Sequence, residues 1–215
     1  MKLTADRITD AGMAVFAETG YHGLSMRRVA ERLDVHAGSL YYHVPNKTAL
    51  LQLMADRVAR QAYDAGTAAL ADLDAGSDWQ ARVTAQAAAL RRSIRRHPGG
   101  AIMFADSPKT LSHGALSVLE RLLDTLAEAG LPAEQCGTAA DTLLSHVTGY
   151  VLQEQSEPPV VPPGPEAATD LHRRFPRTMA AAAHDQEQQF ARSLDLICAG
   201  IATLLPRSGA PGEMR

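Results

Sequence analysis

The chain has 215 residues, 46% of them hydrophobic and only 5% aromatic, with two cysteines and a net charge of −3. That length suits one large or two small domains, and no run reaches the roughly 18 apolar residues of a transmembrane helix. Two cysteines in helical patterns, and an opening MKLTADRITDAG without a signal-peptide apolar region, fit a cytoplasmic protein in a reducing compartment. Abundant alanine with few aromatics favours helix over strand. Charge is uneven: residues 1–60 carry eight Lys/Arg and six Asp/Glu, which leaves +2 there and −5 on the remainder. A mildly basic head on an acidic body points to an anionic partner at the head.

In chain order, Thr4 caps a first helix over 4–19 with Ile8, Ala11, Val15 and Phe16 on one face, ended by Gly20. Ser25 caps a second, whose Met26, Val29, Ala30 and Leu33 follow i, i+3, i+4, i+7. After the turn Asp34-Val35-His36 comes a very short helix that Pro45 stops. Asn46 then caps a long helix to about Ala71, with Leu50, Leu51, Met54 and Val58 inward. Ser77 is expected to cap the next, to about His97, where Pro98-Gly99-Gly100 breaks it before the apolar piece AIMFA. Helices over 109–129, 133–155, 166–183 and 187–205 complete the body. The proline-rich EPPVVPPGPE separates the second and third of these, and reads as a connection more than a lid. The expectation is an all-α chain of about nine or ten helices with no internal repeat. It divides into a three-helix head (1–48), a helical body (49–207) joined to it by the long helix, and a disordered tail (208–215).

HAGSLYYHV, residues 36–44, is too short and too polar for a core helix. With the helix before it, it forms a helix-turn-helix pattern. Ala30 is small where the two helices cross, and Val35 and Leu40 pin the second onto the first. The other groups are then free to enter a DNA groove. Gly38 and Ala37 allow close approach, and Ser39 is short enough for base edges or phosphate. Tyr41 and Tyr42 offer phenol hydrogen bonds and contact with a thymine methyl. His43, Lys47 and the N-terminus of the long helix suit phosphate, and Ser25 and Arg27 flank the supporting helix. A packing role for the same short helix is the competing reading.

Residues 3–60, and above all FAETGYHGLSMRRVAERLDVHAGSLYYHVPNKTALL, resemble the DNA-binding domain of the TetR family of transcriptional regulators. DWQARVTAQAAALRRSIRRHPGGA and LLSHVTGYVLQEQS resemble the ligand-binding body of the tetracycline repressors within it. The resemblance implies a homodimeric repressor on a palindromic double-stranded DNA operator, released by a small-molecule effector. Residues 133–155 and 187–205 would form the dimer bundle, with Tyr150, Leu194, Ile197 and Ile201 on its face. Two departures stand out. Asp34 replaces the usual glycine of the turn, where aspartate tolerates a left-handed backbone better than most residues. Ala37 and Gly38 replace a glutamine and a proline, so base preference should differ.

The same resemblance argues against magnesium–tetracycline. Phe104 stands where the metal-binding histidine would be, Gln153 where the partner's glutamate would be, and Tyr63, Gln86 and Leu90 at other ligand positions. A metal-free, more apolar effector is expected, in a pocket lined by Tyr63, Gln86, Leu90, Met103, Phe104, His146 and Met179. His113 and His146 have no His, Cys, Asp or Glu at helical spacing, so no metal or cofactor site is expected. No nucleophile motif or phosphate loop appears, which argues against an enzyme. The rival of another class is a helical bundle that binds protein rather than DNA.

Overall fold

The computed structural model describes residues 2–105, 112–156, 164–182 and 185–206, and among them every regular element is a helix. In order these are α1 (Ala5–Gly23), α2 (Met26–Leu33), α3 (Ala37–Tyr41), α4 (Lys47–Ala71), α5 (Trp79–Arg95) and α6 (Gly100–Ala105). They continue with α7 (His113–Glu128), α8 (Ala133–Glu154), α9 (Pro165–Arg174), α10 (Pro176–Ala182) and α11 (Gln186–Ala202). Eleven are described against about nine or ten expected. AIMFA is itself helical, as most of α6, and the helix expected over 166–183 is two. Proline disfavours helical geometry in the residue before it, and Phe175 sits at φ −130°, ψ 55° ahead of Pro176.

Caps follow the side-chain chemistry with one displacement. Thr4, Ser25 and Asn46 accept from the backbone N–H three residues on, at 3.3, 3.3 and 2.8 Å. Asp78, not Ser77, caps α5, accepting from the Ala81 N–H at 2.8 Å. A carboxylate caps better than a hydroxyl at the positive end of a helix. Gly20 takes φ +68°, yet the chain resumes helical geometry to Gly23, so the first helix is kinked rather than ended there. Residues 109–111, the proline-rich stretch 157–163 and the tail 208–215 lie outside the described residues.

The 25-residue α4, about 37 Å long, packs on α1, α5, α6 and α7 and so belongs to both halves. Gly12 of α1 brings α4 close: a Cβ there would stand 3.0 Å from both Leu50 and Met54. The head's packing therefore runs into the first turns of α4. Arg57 of α4 ties back to α1 through Asp6, at 3.2 Å, and Asp10.

In the body, α5, α8 and α11 share a buried ion network. Arg91 binds Glu154 through two hydrogen bonds, 3.1 and 2.5 Å, and Glu187 at 2.7 Å, and lies over the Phe190 ring. The Arg91 and Glu154 side chains are 2% and 5% exposed. Burial alone would lower the Arg91 pKa, but the two carboxylates raise it above its ordinary value. Removing one partner leaves a buried charge unmatched. Glu154→Ala should therefore cost about 3–5 kcal/mol in urea unfolding, while an Arg91→Met, Glu154→Leu double variant should recover most of that loss.

Candidate nucleic-acid interface and internal cavity

The turn between α2 and α3 is closed by backbone geometry. Asp34 adopts φ 53°, ψ 50°, the left-handed conformation that its chemistry tolerates. The Val35 N–H then reaches the Ala30 carbonyl at 3.1 Å and the Asp34 N–H that of Glu31 at 3.2 Å. Leu40 is the sole buried residue of the five in α3. Its carbonyl accepts from the N–H groups of His43 and Val44 at 2.9 and 2.8 Å, which turns the chain into Pro45. Gly38, Ser39, Tyr41, Tyr42 and His43 are consequently exposed, Tyr42 at 90% and Tyr41 at 50%, while Ala37 is half-buried. The Tyr42 and His43 rings stand edge to face, 5.4 Å apart.

The flanking groups divide. Arg27 projects outward beside Glu31, its partner at 2.9 Å. Ser25 uses its oxygen to cap α2 and keeps its O–H to donate. Lys47 is drawn inward: its Nζ donates to the Tyr21 carbonyl at 3.0 Å and lies over the Tyr21 ring. It fastens the start of α4 to α1.

The long helix α4 and α7 meet at Asp56. Its Oδ1 accepts from the Ser112 hydroxyl at 2.8 Å and the Gly114 N–H at 2.7 Å, and its Oδ2 pairs with Arg60. Burial alone would raise its pKa, but those donors together hold it below the ordinary carboxylate value. Gly114 is required for the crossing, because a Cβ would come within 2.6 Å of the Asp56 carbonyl oxygen and 2.7 Å of the Arg60 nitrogen. A second contact ties the corner after α5 to the rest. Gln155 donates to the His97 carbonyl at 2.8 Å and accepts from the Ala101 N–H at 3.1 Å. Gly99 lies against the Phe16 ring of α1, which leaves only 3.0 Å for a Cβ.

Between α5, α7 and α8 lies a cavity walled by Val83, Ala87, Leu90, Val118, Leu122, Leu143, Leu144 and Val147, with Gln86 as its polar group. Its volume is about 20 Å³, room for water and not for an organic molecule, so a larger guest must part these helices. Of the seven residues expected around an effector, only Gln86 and Leu90 line it. Met103 and Phe104 are buried in the packing of α6. Tyr63 lies outside the wall, beneath the Arg121 guanidinium. Met179 is half-buried on α10. His146 points to α11: its Nε2 is 2.7 Å from the Ser193 hydroxyl and its ring stacks on Phe190, and burial lowers its pKa.

The expected dimer face also needs correction. Leu194 and Ile201 are 0% and 6% exposed within one chain, taken up by its own core. Tyr150 is half-buried, its hydroxyl donating to the Gln186 carbonyl at 2.8 Å, and Ile197 is half-buried too. The apolar groups left outward are Leu196 on α11, 75% exposed, and Leu152 on α8, 39% exposed. Sequence reading missed Asp56, Ser112, Gly114 and Arg121. Glycine inside a helical pattern was the available signal, at Gly114 and Gly66.

Known proteins match along nearly the whole length. Residues 8–54 match the model of bacterial regulatory proteins of the tetR family, and residues 73–205 that of the tetracyclin repressor-like C-terminal domain. The HTH-type transcriptional repressor DrrR1 of Streptomyces coeruleorubidus is 35% identical over 159 residues, 72% of this chain but only 56% of that relative's length. The class D tetracycline repressor protein of Escherichia coli is 28% identical over 210 residues, 95% of this chain and 91% of its own. A crystal structure of a possible TetR family transcriptional regulator from Streptomyces coelicolor A3(2) superposes with a TM-score of 0.78 at 26% identity, covering 93% of this chain and 98% of that one.

The lowered pKa of Asp56 has a stability consequence. Its contribution is complete above the unfolded carboxylate value of about 3.9 and is lost as pH falls through the lower folded value. Asp56→Asn should destabilise the protein by about 2 kcal/mol near neutral pH in urea melts. The gap to the parent should close as the melts are repeated at pH values below about 3.9.

Proposed function

The chain belongs to the TetR family of bacterial transcriptional regulators, DNA-binding proteins without enzymatic activity, and from that premise we propose that it is a dimeric repressor released from a palindromic operator by a small-molecule effector. The observation that carries this reading is α3, five residues with Leu40 alone buried, and the two tyrosines at and just past its end, Tyr41 and Tyr42, turned to solvent. A helix held by one anchor at a tight turn is built to enter a groove. Ser39, Tyr41, Tyr42 and His43 form the reading surface, with Ala37 and Gly38 admitting the backbone and Ser25 and Arg27 beside it. A DNA partner puts the protein in the cytoplasm; among the described residues no helix is long and apolar enough to cross a membrane.

The dimer forms through α8 and α11, across Leu196, Leu152 and half-buried Ile197, with Tyr150 at the margin. Gly149 and Gly200 have open space where a Cβ would stand, so a partner helix can come close. Two-fold symmetry then sets two α3 helices about one DNA turn apart or slightly more.

The effector enters between α5, α7 and α8, and Gln86 is its first polar contact. The cavity wall is apolar apart from Gln86 and offers no carboxylate or histidine to a metal, which supports an effector other than magnesium–tetracycline. Parting these helices tilts α4, which is latched to α7 at Asp56 and to α1 through Arg57. If operator binding needs the other tilt, occupancy shifts the population away from DNA.

Operator fragments selected from genomic DNA provide the test. Affinity should fall linearly with salt on logarithmic axes. Tyr42→Ala should weaken binding at least about tenfold with unchanged melting, since Tyr42 supports nothing inside the fold. An operator held at parental affinity by Tyr42→Ala would remove Tyr42 from the interface. Leu196→Arg should shift sedimentation from dimer to monomer, and a dimer that persists would place the interface elsewhere.

A further inference from the structure

We infer that Arg121 is the anchor for a carboxylate on the effector, so that this protein responds to an organic acid with an apolar body. The inference rests on the reading of the α5–α7–α8 cavity as the effector chamber.

The guanidinium of Arg121 lies flat on the Tyr63 ring, 4.3 Å from its centre. Nη1 donates to the Tyr63 carbonyl and to the Thr67 hydroxyl, each at 2.7 Å, and Nε donates to the Gln86 side-chain oxygen at 3.2 Å. All three acceptors are neutral. Four other arginines that reach across helices end on carboxylates: Arg32 on Glu18, Arg57 on Asp6 and Asp10, Arg82 on Glu128, Arg91 on Glu154 and Glu187; Arg28, which donates to the Gly23 carbonyl at 3.0 Å, does not. Among the described residues Arg121 has no carboxylate within 4.0 Å, and Nη2 has no hydrogen-bond acceptor. Burial lowers its pKa, opposed by Tyr63 and by Asp64 acting at a distance.

The seat for this charge is built. Gly66, in the middle of α4, faces Nη2 so closely that any Cβ would collide with it. Glycine inside a helix costs about 0.5–1 kcal/mol relative to alanine, and here it leaves room for the guanidinium to lie against α4. The seat also communicates with the cavity. Gln86, which takes the Nε hydrogen bond, lines the cavity on its other side and donates to the Thr125 hydroxyl at 2.9 Å.

A carboxylate displacing the Gln86 oxygen replaces a neutral acceptor with an anionic one and forms an ion pair on the Nε–Nη2 edge, the fork geometry that suits a carboxylate. The acid's apolar body then occupies the space among Val83, Leu122 and Val147 as the helices part. Because Arg121 also grips Tyr63 and Thr67, any movement it makes on binding the acid is delivered to α4.

The test compares matched probes on the full-length protein by calorimetry near neutral pH: 2-naphthoate against 2-naphthamide, and 4-phenylbutyrate against 4-phenylbutyramide. At least one acid should bind at least about tenfold tighter than its amide. Arg121→Gln should abolish that preference by weakening the acid alone, and Arg121→Lys should keep part of it, because it keeps the charge and loses the fork. Equal binding of acids and amides, no binding of either acid, or an acid preference that survives in Arg121→Gln would each overturn the proposal. The acid-to-amide ratio in the parent protein decides even if the variants fail to fold. A separate titration of the parent protein with operator DNA, without probe, keeps the two readings apart. Acid selectivity without DNA binding would defeat the regulator reading, and DNA binding without acid selectivity would defeat this one.

Discussion

The close crossing of α4 over the first turn of α7 is the constraint on which the rest of the molecule depends. It exists because residue 114 has no side chain and because Asp56 places a carboxylate under the open end of α7. The end of a helix leaves backbone N–H groups without intrahelical partners, and a buried acceptor there satisfies them while complementing the helix dipole. Ser112 completes the arrangement by accepting from the Ala115 N–H and donating to Asp56. One carboxylate thus fixes the angle at which α4 leaves the body. Since α4 also carries Leu50 and Met54 into the head, that angle sets where α3 stands.

The head shows how little apolar surface is needed to aim a reading helix. Leu40 and Val44 are fully buried, the turn at Asp34 is closed by two backbone hydrogen bonds, and Lys47 staples the start of α4 to Tyr21. Of α3's side chains only Leu40, with a margin from half-buried Ala37, packs on the core, and Tyr41 and Tyr42 stay exposed.

Local chemistry was legible in the sequence and long-range pairing was not. Ser25, Asn46 and Asp34 each do what their side chains dictate, because a cap or a left-handed turn involves only neighbours in the chain. Leu194 and Ile201 lie on a helical apolar stripe, but period 3.6 is the same for an intrachain core and for a subunit interface. Only packing shows that Leu196, off that stripe, is the exposed one. The cavity wall was hidden for the same reason: Val118, Leu122, Leu143 and Val147 are apolar residues within helices, with nothing in their type to set them apart from core. His146 fell on a face that α11 claims through Ser193 and Phe190. Asp56 and Gly114 are 58 residues apart, and nothing local to either announces the other.

Two arginines that reach into α5's surroundings face opposite electrostatic conditions. Arg91 is enclosed by Glu154 and Glu187, and their charge outweighs the cost of its burial. Arg121 is half-buried among a carbonyl, a hydroxyl, an amide and a tyrosine face, and for it burial prevails. If its role were only to tie α4, α5 and α7 together, an apolar side chain would do so without desolvating a charge. A half-buried cation hydrogen-bonded to neutral groups is the electrostatic condition on which the carboxylate proposal rests. Its grip on Tyr63 and Thr67 places that condition on the one helix shared by head and body.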